Sequence, residues 1–462
     1  MKPRNWLPIA AMLVTVGSPA LCAEDPWTPA DLLQPSELAA RLATKEQSKP
    51  EILFVGFPVL YRAAHIPGAA LAGPCSKAEG LDLLKKTVAD QPRDRELVIY
   101  CGCCPFVKCP NVRPAFRALH EMGFSRVKVL VIENNFHADW VAKGYPVEKA
   151  AEAVHVEAQR ISQESLLGPG KTWTELGLFN PTAIRVGSKT VLLFRAQDRA
   201  HTSRIGYAES EDGVHFVARH EPVLSPVANY ERRGGVEDPR VVEIGGIYYL
   251  TYTGYDGRAA QLCLATSSDL MHWNRKGVIL PAYKGTWNTQ WTKSGAILPE
   301  KVNGKWWMYY LGTRTDADGQ PRDYMGLAVS DDLLHWKDAT NQPVLERRPG
   351  AFDSRVMEPG PAPILTDAGI LLLYNGADDH LVYGPGWVLF DRQDPRRVIA
   401  RADGPFVVPT LPWEKVGNVP NVIFLEGAVT QMAARDRLQL TGYYGAADKF
   451  VGGLNIRLTL PR

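Results

Sequence analysis

The hydrophobic and polar positions follow different periodicities in the two parts of this chain. In the first part, residues 51–57, 96–100 and 126–132 are mostly apolar, which is typical of strands buried on both faces of a parallel sheet. Between the second and third runs, residues 114–123 have apolar positions at helical spacing and end in a glycine. We therefore predict that residues 24–150 form an α/β domain, with helices packed on a parallel sheet.

From residue 166 onward, short strands rich in aromatic residues alternate with turns of Gly, Asp and Asn, a pattern that predicts an all-β domain. One motif recurs there at intervals of about 55–68 residues, a length suited to one blade of a β-propeller. We therefore predict a five-bladed propeller over residues 166–462, preceded by a polar linker over 151–165. The copies of the motif are centred on Asn180, Asp238, Lys293, Glu358 and Glu426.

A second repeat supports this periodicity. Residues 207–216, 264–273 and 327–336 each contain a strand, a turn with Ser or Asp, and a returning aromatic residue preceded by histidine. Ser and Asp side chains hydrogen-bond turn backbones, and the same turn position in separate blades lies far apart around the ring. We therefore predict scaffold roles, and no shared metal site, for His215, His272 and His335.

The first residues have the three parts of an export signal. Lys2 and Arg4 are basic, residues 7–16 are apolar, and residues 18–23 are mostly small. The apolar run is too short to span a bilayer as a mature helix, and no other run is long enough. We expect residues 1–23 to be removed and the protein to be periplasmic or secreted. Cys22 offers a lipoprotein alternative, although Leu21 does not match the small residue that lipoprotein processing prefers.

Composition and charge exclude some classes of partner. The chain has 462 residues, of which 45% are hydrophobic and 22% charged, and its net charge is +2. These values are ordinary for a globular protein. The near-neutral balance gives no electrostatic basis for binding nucleic acid or a membrane surface. We therefore expect no nucleic-acid partner, and no integral membrane segment once the signal is removed.

A cluster of cysteines follows the second apolar run: Cys101, Cys103, Cys104 and Cys109. Cys101 precedes the predicted helix, so backbone N–H groups and the helix dipole would lower the pKa of its thiol. Three interpretations are open. They are sulfur transfer or redox chemistry at Cys101, a disulfide or soft-metal cluster, and a domain that serves only in recognition.

The segments around this loop resemble a rhodanese-like domain over about residues 30–149. The motifs that carry the resemblance are His65-Ile66-Pro67-Gly68-Ala69, Tyr100-Cys101, Gly123-Phe124, and Trp140 with Gly144-Tyr145-Pro146-Val147. The resemblance implies that Cys101 is the position that carries sulfur. The chain departs from the family in its long, cysteine-rich loop and at residues 56–58, where Gly-Phe-Pro replaces the usual Asp-x-Arg.

The copies of the propeller motif predict a shared site. Equivalent positions in successive blades face one central channel, so Asp238, Glu358 and Glu426 should converge although they are far apart in sequence. Converging carboxylates in a concave site suit the cleavage of a glycosidic bond. An ion pair between Asp238 and Arg240 is a structural alternative, and it would lower the pKa of that carboxyl.

The second region is similar to glycoside hydrolase family 130, the β-mannoside phosphorylases and mannosidases, over about residues 166–458. The matching segments are 235–240, 352–361, 389–395, 419–424 and 443–448. The resemblance implies a five-bladed propeller that acts on β-mannosides, with Asp238 as a general acid working through a sugar hydroxyl. We assign substrate contacts to Asn180, Arg195, Arg240, Asp256, Lys293, Arg314, Asn375 and Asp448.

The basic residues bear on whether phosphate or water accepts the sugar. In the phosphorylases, phosphate lies among basic residues and a histidine; Lys293 and Arg314 are basic here, but the expected Tyr-His-Gly is Tyr-Asn-Gly at 374–376. Glu358 and Glu426 add negative charge, which repels phosphate and could activate water. We therefore predict inverting hydrolysis of a β-mannoside, with acid and base about 6.5–9.5 Å apart. Pairing of both glutamates with the two basic residues is the structural alternative.

Two other functions stay open on the sequence alone. One is a β-mannoside phosphorylase with inorganic phosphate as co-substrate. The other is a non-catalytic sugar-binding propeller joined to a domain with thiol chemistry. No organic cofactor is implied, and no ligand spacing in the propeller argues for calcium or zinc, so no metal site is assigned. The expected partner is an oligosaccharide or another mannoside.

Overall fold

The computed structural model describes residues 25–44, 49–148, 154–348 and 350–461. The predicted export signal at 1–23, including Cys22, lies outside the described residues and stays a prediction. The chain divides into two compact units between Ala150 and Ala151. In the described ranges, no helix is both long and apolar enough to cross a membrane.

The first unit contains a parallel sheet and several helices. Its helices are α1 (Pro35–Ala43), α2 (Pro58–Ala63), α3 (Ala78–Thr87), α4 (Val112–Glu121) and α5 (Phe136–Asp139), with 3-10 turns at Pro29–Asp31, Phe106–Lys108 and Val141–Lys143. Its strands are β1 (Leu32–Leu33), β2 (Glu51–Phe54), β3 (Ala70–Leu71), β4 (Leu97–Tyr100) and β5 (Val127–Leu130). The strand order is β1-β5-β4-β2-β3, and every pairing is parallel. Parallel neighbours need crossover connections, which the helices supply.

Strand β4 shows why the predicted runs are apolar throughout. Leu97 and Ile99 pack into one hydrophobic cluster, and Val98 and Tyr100 pack into another. Successive side chains of a strand point to opposite faces, so both faces of this sheet are covered. The strand ends directly before Cys101, which places the cysteine loop between β4 and α4.

The strands of the second unit pair mainly as antiparallel meanders, which confirms the all-β prediction for this part of the chain. The first two meanders are β7-β8-β9-β10 and β11-β12-β13-β14, and they share one parallel bridge between Ser203 and Gly235. The next groups are β15-β16-β17-β18, then β19 and β20 on β21-β22-β23, and finally β24-β25-β26-β6. The bounds of the elements are β6 (His155–Arg160), β7 (Gly177–Val186), β8 (Lys189–Gln197), β9 (Ser203–Ser210), β10 (Val217–Ala218), β11 (Gly235–Ile244), β12 (Ile247–Tyr255), β13 (Ala260–Ser267), β14 (Asn274–Leu280), β15 (Thr292–Ile297), β16 (Trp306–Thr315), β17 (Pro321–Ser330), β18 (Trp336–Asp338), β19 (Val356–Pro359), β20 (Ile364–Thr366), β21 (Gly369–Ala377), β22 (Tyr383–Phe390), β23 (Val398–Arg401), α6 (Pro412–Lys415), β24 (Ile423–Ala434), β25 (Arg437–Ala446) and β26 (Phe450–Thr459), with 3-10 turns at Thr172–Thr174 and Asn229–Glu231.

Four of the five copies of the recurring motif coincide with a bulge in the first strand of a meander. Pairing shifts register at the motif in β7, β11, β15 and β24. Three bulge residues have a positive φ, namely Asn180 at 49°, Asp238 at 50° and Ser294 at 58°. A bulge bends the strand and re-aims a side chain. In the third copy, Ser294 therefore occupies the backbone position that Asn180 and Asp238 occupy in the first two copies. The prediction that Lys293 is the equivalent residue is wrong by one position.

The second repeat has the predicted scaffold role. His215, His272 and His335 each place Nδ1 2.7 Å from the aspartate three residues earlier. Each of these aspartates also accepts hydrogen bonds from backbone N–H groups of its own turn. The histidines are exposed and engaged within separate turns, as expected for residues that fix the turns.

The segment 151–165, expected to be a linker, contains strand β6. This strand pairs antiparallel with β26 from His155 to Arg160. Its residues alternate between exposed and partly buried, as in an edge strand with one face in water. Polarity alone could not distinguish such a strand from a linker. Because β6 begins the unit and β26 ends it, their pairing joins the two ends of the second unit.

Glu414 stabilises this junction. Arg160 of β6 forms two hydrogen bonds to its carboxylate, at 2.6 and 2.8 Å, and Tyr444 donates a third at 2.8 Å. Backbone N–H groups of Thr410 and Leu411 donate two more. The Glu414 side chain is fully buried, and a buried charge is tolerated only when it is paired and hydrogen-bonded.

We expect Glu414→Ala to lower the free energy of unfolding of the second unit by about 3–5 kcal/mol, because Arg160 would keep a partly buried charge without its partner. Urea unfolding followed by far-ultraviolet circular dichroism measures this loss. Glu157→Ala is the control on the same strand; its exposed side chain should change stability by less than about 0.5 kcal/mol. Equal losses in the two variants would contradict the role of the junction.

Candidate active site

Asp238 lies at the bulge of β11 and is held by two donors from the preceding meander. Asn180 Nδ2 is 2.9 Å and Arg195 Nη1 is 3.1 Å from the same oxygen, Asp238 Oδ1. Burial by itself would raise the pKa of this carboxyl, but Arg195, Lys293 and Asn180 together lower it to about 2. Asp238 is therefore an anion at neutral pH.

Glu237 is a second carboxylate on Arg195 and was not singled out from the sequence. Arg195 Nη2 lies 2.7 Å from Glu237 Oε1, and Ser203 donates to the same oxygen at 3.1 Å. Ser203 is in place because Gly235 lets β11 approach β9. A Cβ on Gly235, whose φ is 112°, would lie 2.2 Å from the Ser203 carbonyl oxygen.

Arg240 joins the second copy of the motif to the fourth and fifth. It donates to the carbonyl oxygens of Pro359 at 2.6 Å and Gly360 at 3.0 Å, and Nη2 lies 3.6 Å from Glu426 Oε2. Towards Asp238, its hydrogen bond goes to the backbone carbonyl at 3.3 Å. The ion pair between Asp238 and Arg240 that the sequence suggested does not form; Asp238 pairs with Arg195 instead.

Glu426 has an unusual environment for a carboxyl group. It is 0% exposed, and neither carboxylate oxygen has a hydrogen-bond partner among the described residues. Burial raises its pKa well above the usual range against the opposing charge of Arg240, and the charges of Asp238 and Glu358 raise it further. The protonated form is therefore favoured. The same charge effects show that the three predicted carboxylates lie in one cluster.

Lys293 and Glu358 form the basic and acidic pair on the later copies. Lys293 Nζ is 3.8 Å from Glu358 Oε1, and Ser294 donates a hydrogen bond to that oxygen. Glu358 is the main cause of the raised pKa of Lys293, and Asp238 contributes. Lys293 therefore remains a cation at neutral pH. Its ion pair with Glu358 is one of the pairs that the structural alternative predicted.

Asp448 belongs to the same cluster from the turn between β25 and β26. Burial raises its pKa to about 6, and nearby Asp238 and Glu358 raise it while Arg195 and Lys293 oppose the shift. Asp448, with a pKa of about 6, and Asp238, with a pKa of about 2, thus bind protons with very different affinities in one cluster. Environments that separate the pKa values of neighbouring groups are a property of acid–base sites.

Three predicted substrate contacts are engaged elsewhere in the structure. Arg314 donates to Asp316 at 3.0 Å and lies over the ring of Tyr324. Asp256 accepts hydrogen bonds from backbone N–H groups within its own turn. Asn375 exchanges two hydrogen bonds with the backbone of Leu425, at 2.8 and 2.9 Å, so it links the fourth and fifth copies.

Further members of the cluster have no distinct signal in the sequence. Asp323 acts on Lys293 electrostatically, and burial raises the pKa of Tyr383 to about 12, with Glu358 adding to the shift. Their strands, β17 and β22, lack the recurring motif. Ser294 could have been found by aligning the repeat on the residue before each Pro or Gly, which also selects Asn180 and Asp238.

Cys101 lies in the first unit, directly after β4 as predicted. The neighbouring Cys109 and burial raise the pKa of the Cys101 thiol. The expected lowering occurs at Cys109 instead. The hydrogen bond from Cys101 and the backbone N–H groups of Asn111 and Val112 lower the pKa of Cys109 to about 6. The N-terminus of α4 therefore stabilises a thiolate at Cys109, because that residue, and not Cys101, is adjacent to the helix.

Comparison with known proteins concerns mainly the second unit. A family model described as beta-1,4-mannooligosaccharide phosphorylase matches residues 145–459. A 1,2-beta-oligomannan phosphorylase from Thermoanaerobacter sp. (strain X514) is 38% identical over 309 residues, covering 64% of this chain and 96% of the relative.

Two solved structures have a similar fold. The beta-1,2-mannobiose phosphorylase from Listeria innocua has a TM-score of 0.56 at 26% identity, covering 65% of this chain and 96% of its own. A glycosyl hydrolase from Bacteroides ovatus has a TM-score of 0.57 at 32% identity, covering 65% of this chain and 93% of its own.

The opposite pKa shifts of Asp448 and Asp238 predict opposite effects of pH on stability. The pKa of Asp448 in the folded protein is about 6, above the ordinary aspartate value of about 3.9. The folded state therefore binds this proton more tightly than the unfolded state. Its contribution to stability is therefore present below about pH 4 and lost as pH rises through about 6. We expect Asp448→Asn to become more stable relative to the parent protein as pH rises from about 4 to about 7.

Asp238→Asn should show the reverse. The folded carboxylate is favoured, so its stabilising contribution is present above about pH 4 and lost as pH falls towards about 2. The variant should therefore be least stable relative to the parent near neutral pH. Urea midpoints measured across this range test both variants, and parallel pH dependences would refute the assignment.

Proposed function

The chain belongs to glycoside hydrolase family 130, and on that premise we propose that it cleaves β-linked mannosides by transferring a mannosyl group to inorganic phosphate. The observation that carries the proposal is the 38% identity to an oligomannan phosphorylase across 96% of that relative. The proposal departs from the hydrolysis expected from the sequence, because the relatives support phosphate as the acceptor better than water.

The reaction needs one proton at the leaving oxygen. A phosphate oxygen attacks C1 of the mannosyl group while the bond from C1 to the glycosidic oxygen breaks. Inversion gives α-mannose 1-phosphate, and the shortened oligosaccharide gains a hydroxyl. Asp448, with a pKa of about 6, can hold the required proton near neutral pH, whereas Asp238, with a pKa of about 2, cannot. We therefore assign proton donation to Asp448 and binding of a sugar hydroxyl to ionised Asp238, which differs from the acid role that the family resemblance implies for Asp238.

Lys293 is the cation that we assign to phosphate. Arg195 and Arg240 are held by carboxylates and backbone carbonyls over several short contacts. Lys293 keeps 27% of its side chain exposed and makes a longer contact of 3.8 Å to Glu358. A phosphate ion could therefore replace Glu358 as its partner.

Hydrolysis is the second candidate, and one observation favours it. Arg195 and Lys293 each lie within 4 Å of a carboxylate oxygen, and Arg240 donates to two backbone carbonyl oxygens, so the cluster offers phosphate little uncompensated positive charge. Glu358 would then activate water, with inversion at C1. The Bacteroides ovatus relative is named a glycosyl hydrolase, which is in keeping with this alternative.

Phosphate dependence separates the two reactions. The protein is incubated with β-1,2- or β-1,4-mannobiose, with and without phosphate, and the products are separated by ion-exchange chromatography. We expect mannose 1-phosphate with phosphate and no cleavage without it. Release of free mannose at the same rate in both conditions would overturn phosphorolysis in favour of hydrolysis.

Glu358→Gln gives a second readout. Under phosphorolysis, loss of the negative charge beside Lys293 should lower the KM for phosphate by about 2- to 10-fold with a smaller change in kcat. Under hydrolysis, loss of a general base should lower kcat by about 10²- to 10⁴-fold. Glu221→Gln, on an exposed residue, is the control and should leave both constants unchanged.

The proton donor is tested with leaving groups of different basicity. A departing dinitrophenolate needs no proton, whereas a departing sugar alkoxide does. We expect Asp448→Asn to lower kcat/KM on mannobiose by about 10²- to 10⁴-fold and to retain most activity on dinitrophenyl β-mannoside. Equal losses on both substrates would remove Asp448 from that role.

Finer features of the architecture are also part of the proposal. We infer that the meanders are the blades of a five-bladed propeller, which the bulged motif in the first strands of four of them supports. We also infer a rhodanese-like fold for the first unit, supported by its parallel strand order and by Cys101 directly after β4. A crystal structure with a different blade number or sheet order would contradict these inferences. Export remains a separate proposal, testable by sequencing the N-terminus of the mature protein.

A further inference from the structure

The cysteine loop of the first unit gathers three sulfur atoms. Cys101, Cys103 and Cys109 place their Sγ atoms within 4.8 Å of one another. Cys101 and Cys109 are 2% and 3% exposed, and Cys103 is partly exposed. The two buried residues are anchored by regular structure, since Cys101 follows β4 and Cys109 closely precedes α4.

The spacing is close to that of a thiolate metal site. Sulfur ligands about 2.3 Å from a metal ion lie about 3.8 Å apart at tetrahedral angles and about 4 Å apart in a trigonal plane. Contraction of the observed triangle by less than about 1 Å would therefore suffice. Thiolates select soft ions such as Cu⁺ and Zn²⁺ over hard cations.

The surroundings supply hydrogen-bond donors to the sulfurs. Asn111 Nδ2 is 3.4 Å from Cys101 Sγ and 3.8 Å from Cys103 Sγ. The Asn111 side chain is fully buried and is oriented by the backbone N–H of Ser76, which donates to its Oδ1 at 2.9 Å. Donors around ligand atoms stabilise their anionic form and orient them.

We propose that Cys101, Cys103 and Cys109 form a binding site for one soft metal ion, Cu⁺ or Zn²⁺. Each thiol releases its proton to solvent on binding. Three thiolates complete a trigonal Cu⁺ site, whereas Zn²⁺ takes a fourth ligand such as water. Cys104 lies outside the set of three, although its Sγ is 3.4 Å from Cys103 Sγ.

The packing around Cys101 disfavours a role as a sulfur carrier. A Cβ placed on Gly56 would lie 2.7 Å from Cys101 Sγ, so the buried sulfur has little room on that side for an added sulfur atom. A disulfide, with a bond of about 2.05 Å, would use two sulfurs and leave the third without a function.

Metal titration of the whole reduced chain under anaerobic conditions tests the site. Co²⁺, used as a spectroscopic substitute for Zn²⁺, should give a thiolate-to-metal charge-transfer band that saturates at one ion per chain, and Zn²⁺ should remove it. Cu⁺ is titrated in competition with a chromophoric Cu⁺ chelator. We expect Cys103→Ser and Cys109→Ser to weaken binding by about 10²-fold or more. Circular dichroism checks that each variant is folded. If the buried substitution Cys109→Ser prevents folding, Cys103→Ser still tests the site, because Cys103 is partly exposed.

Matched controls come from cysteines outside the set. Cys75→Ser, in the core of the same unit, and Cys104→Ser should both retain one ion per chain. Binding unchanged in folded Cys103→Ser, or lost equally in Cys75→Ser, would overturn the proposal.

Discussion

Compensation of buried charge at the bulged strands is the constraint on which the second unit depends. Arg195 contacts Glu237 and Asp238, Arg240 lies beside Glu426, and Lys293 lies beside Glu358. Removing one member of a buried pair leaves an uncompensated charge that costs about 3–5 kcal/mol. Arg195 and Lys293 therefore link successive meanders, and Arg240 links the second meander to the fourth and fifth. The three cations also permit a concentration of carboxylates that would otherwise repel one another.

The compensation is uneven, and this gives the cluster its chemical range. Asp238 has two close donors and stays ionised, whereas Glu426 has none among the described residues and favours its proton. Asp448 lies between these extremes. One cluster of side chains thus holds an ionised carboxylate, a carboxyl group with a raised pKa and a cation, which is the combination that the proposed phosphorolysis requires.

The first unit applies the same principle to sulfur. Strand β4 and helix α4 fix the ends of the cysteine loop, and the buried Asn111 and the backbone N–H groups of α4 supply donors where the sulfurs converge. In both units a strand end or a bulge delivers the reactive atoms, while hydrogen-bond donors from neighbouring elements set their charge.

The sequence by itself determined the parallel sheet of the first unit, the all-β second unit and the convergence of Asp238, Glu358 and Glu426, because burial periodicity and repeat spacing are local properties of the chain. It could not determine which residue carries each charge. The polar composition of residues 151–165 predicted a linker, whereas β6 in this segment pairs with β26. The motif assigned its third position to Lys293, whereas the bulge residue is Ser294. Arg195, not Arg240, partners Asp238, and Cys109, not Cys101, lies next to the helix terminus. Only the tertiary structure decided these points, since a pKa depends on burial and on charges brought near from distant parts of the sequence.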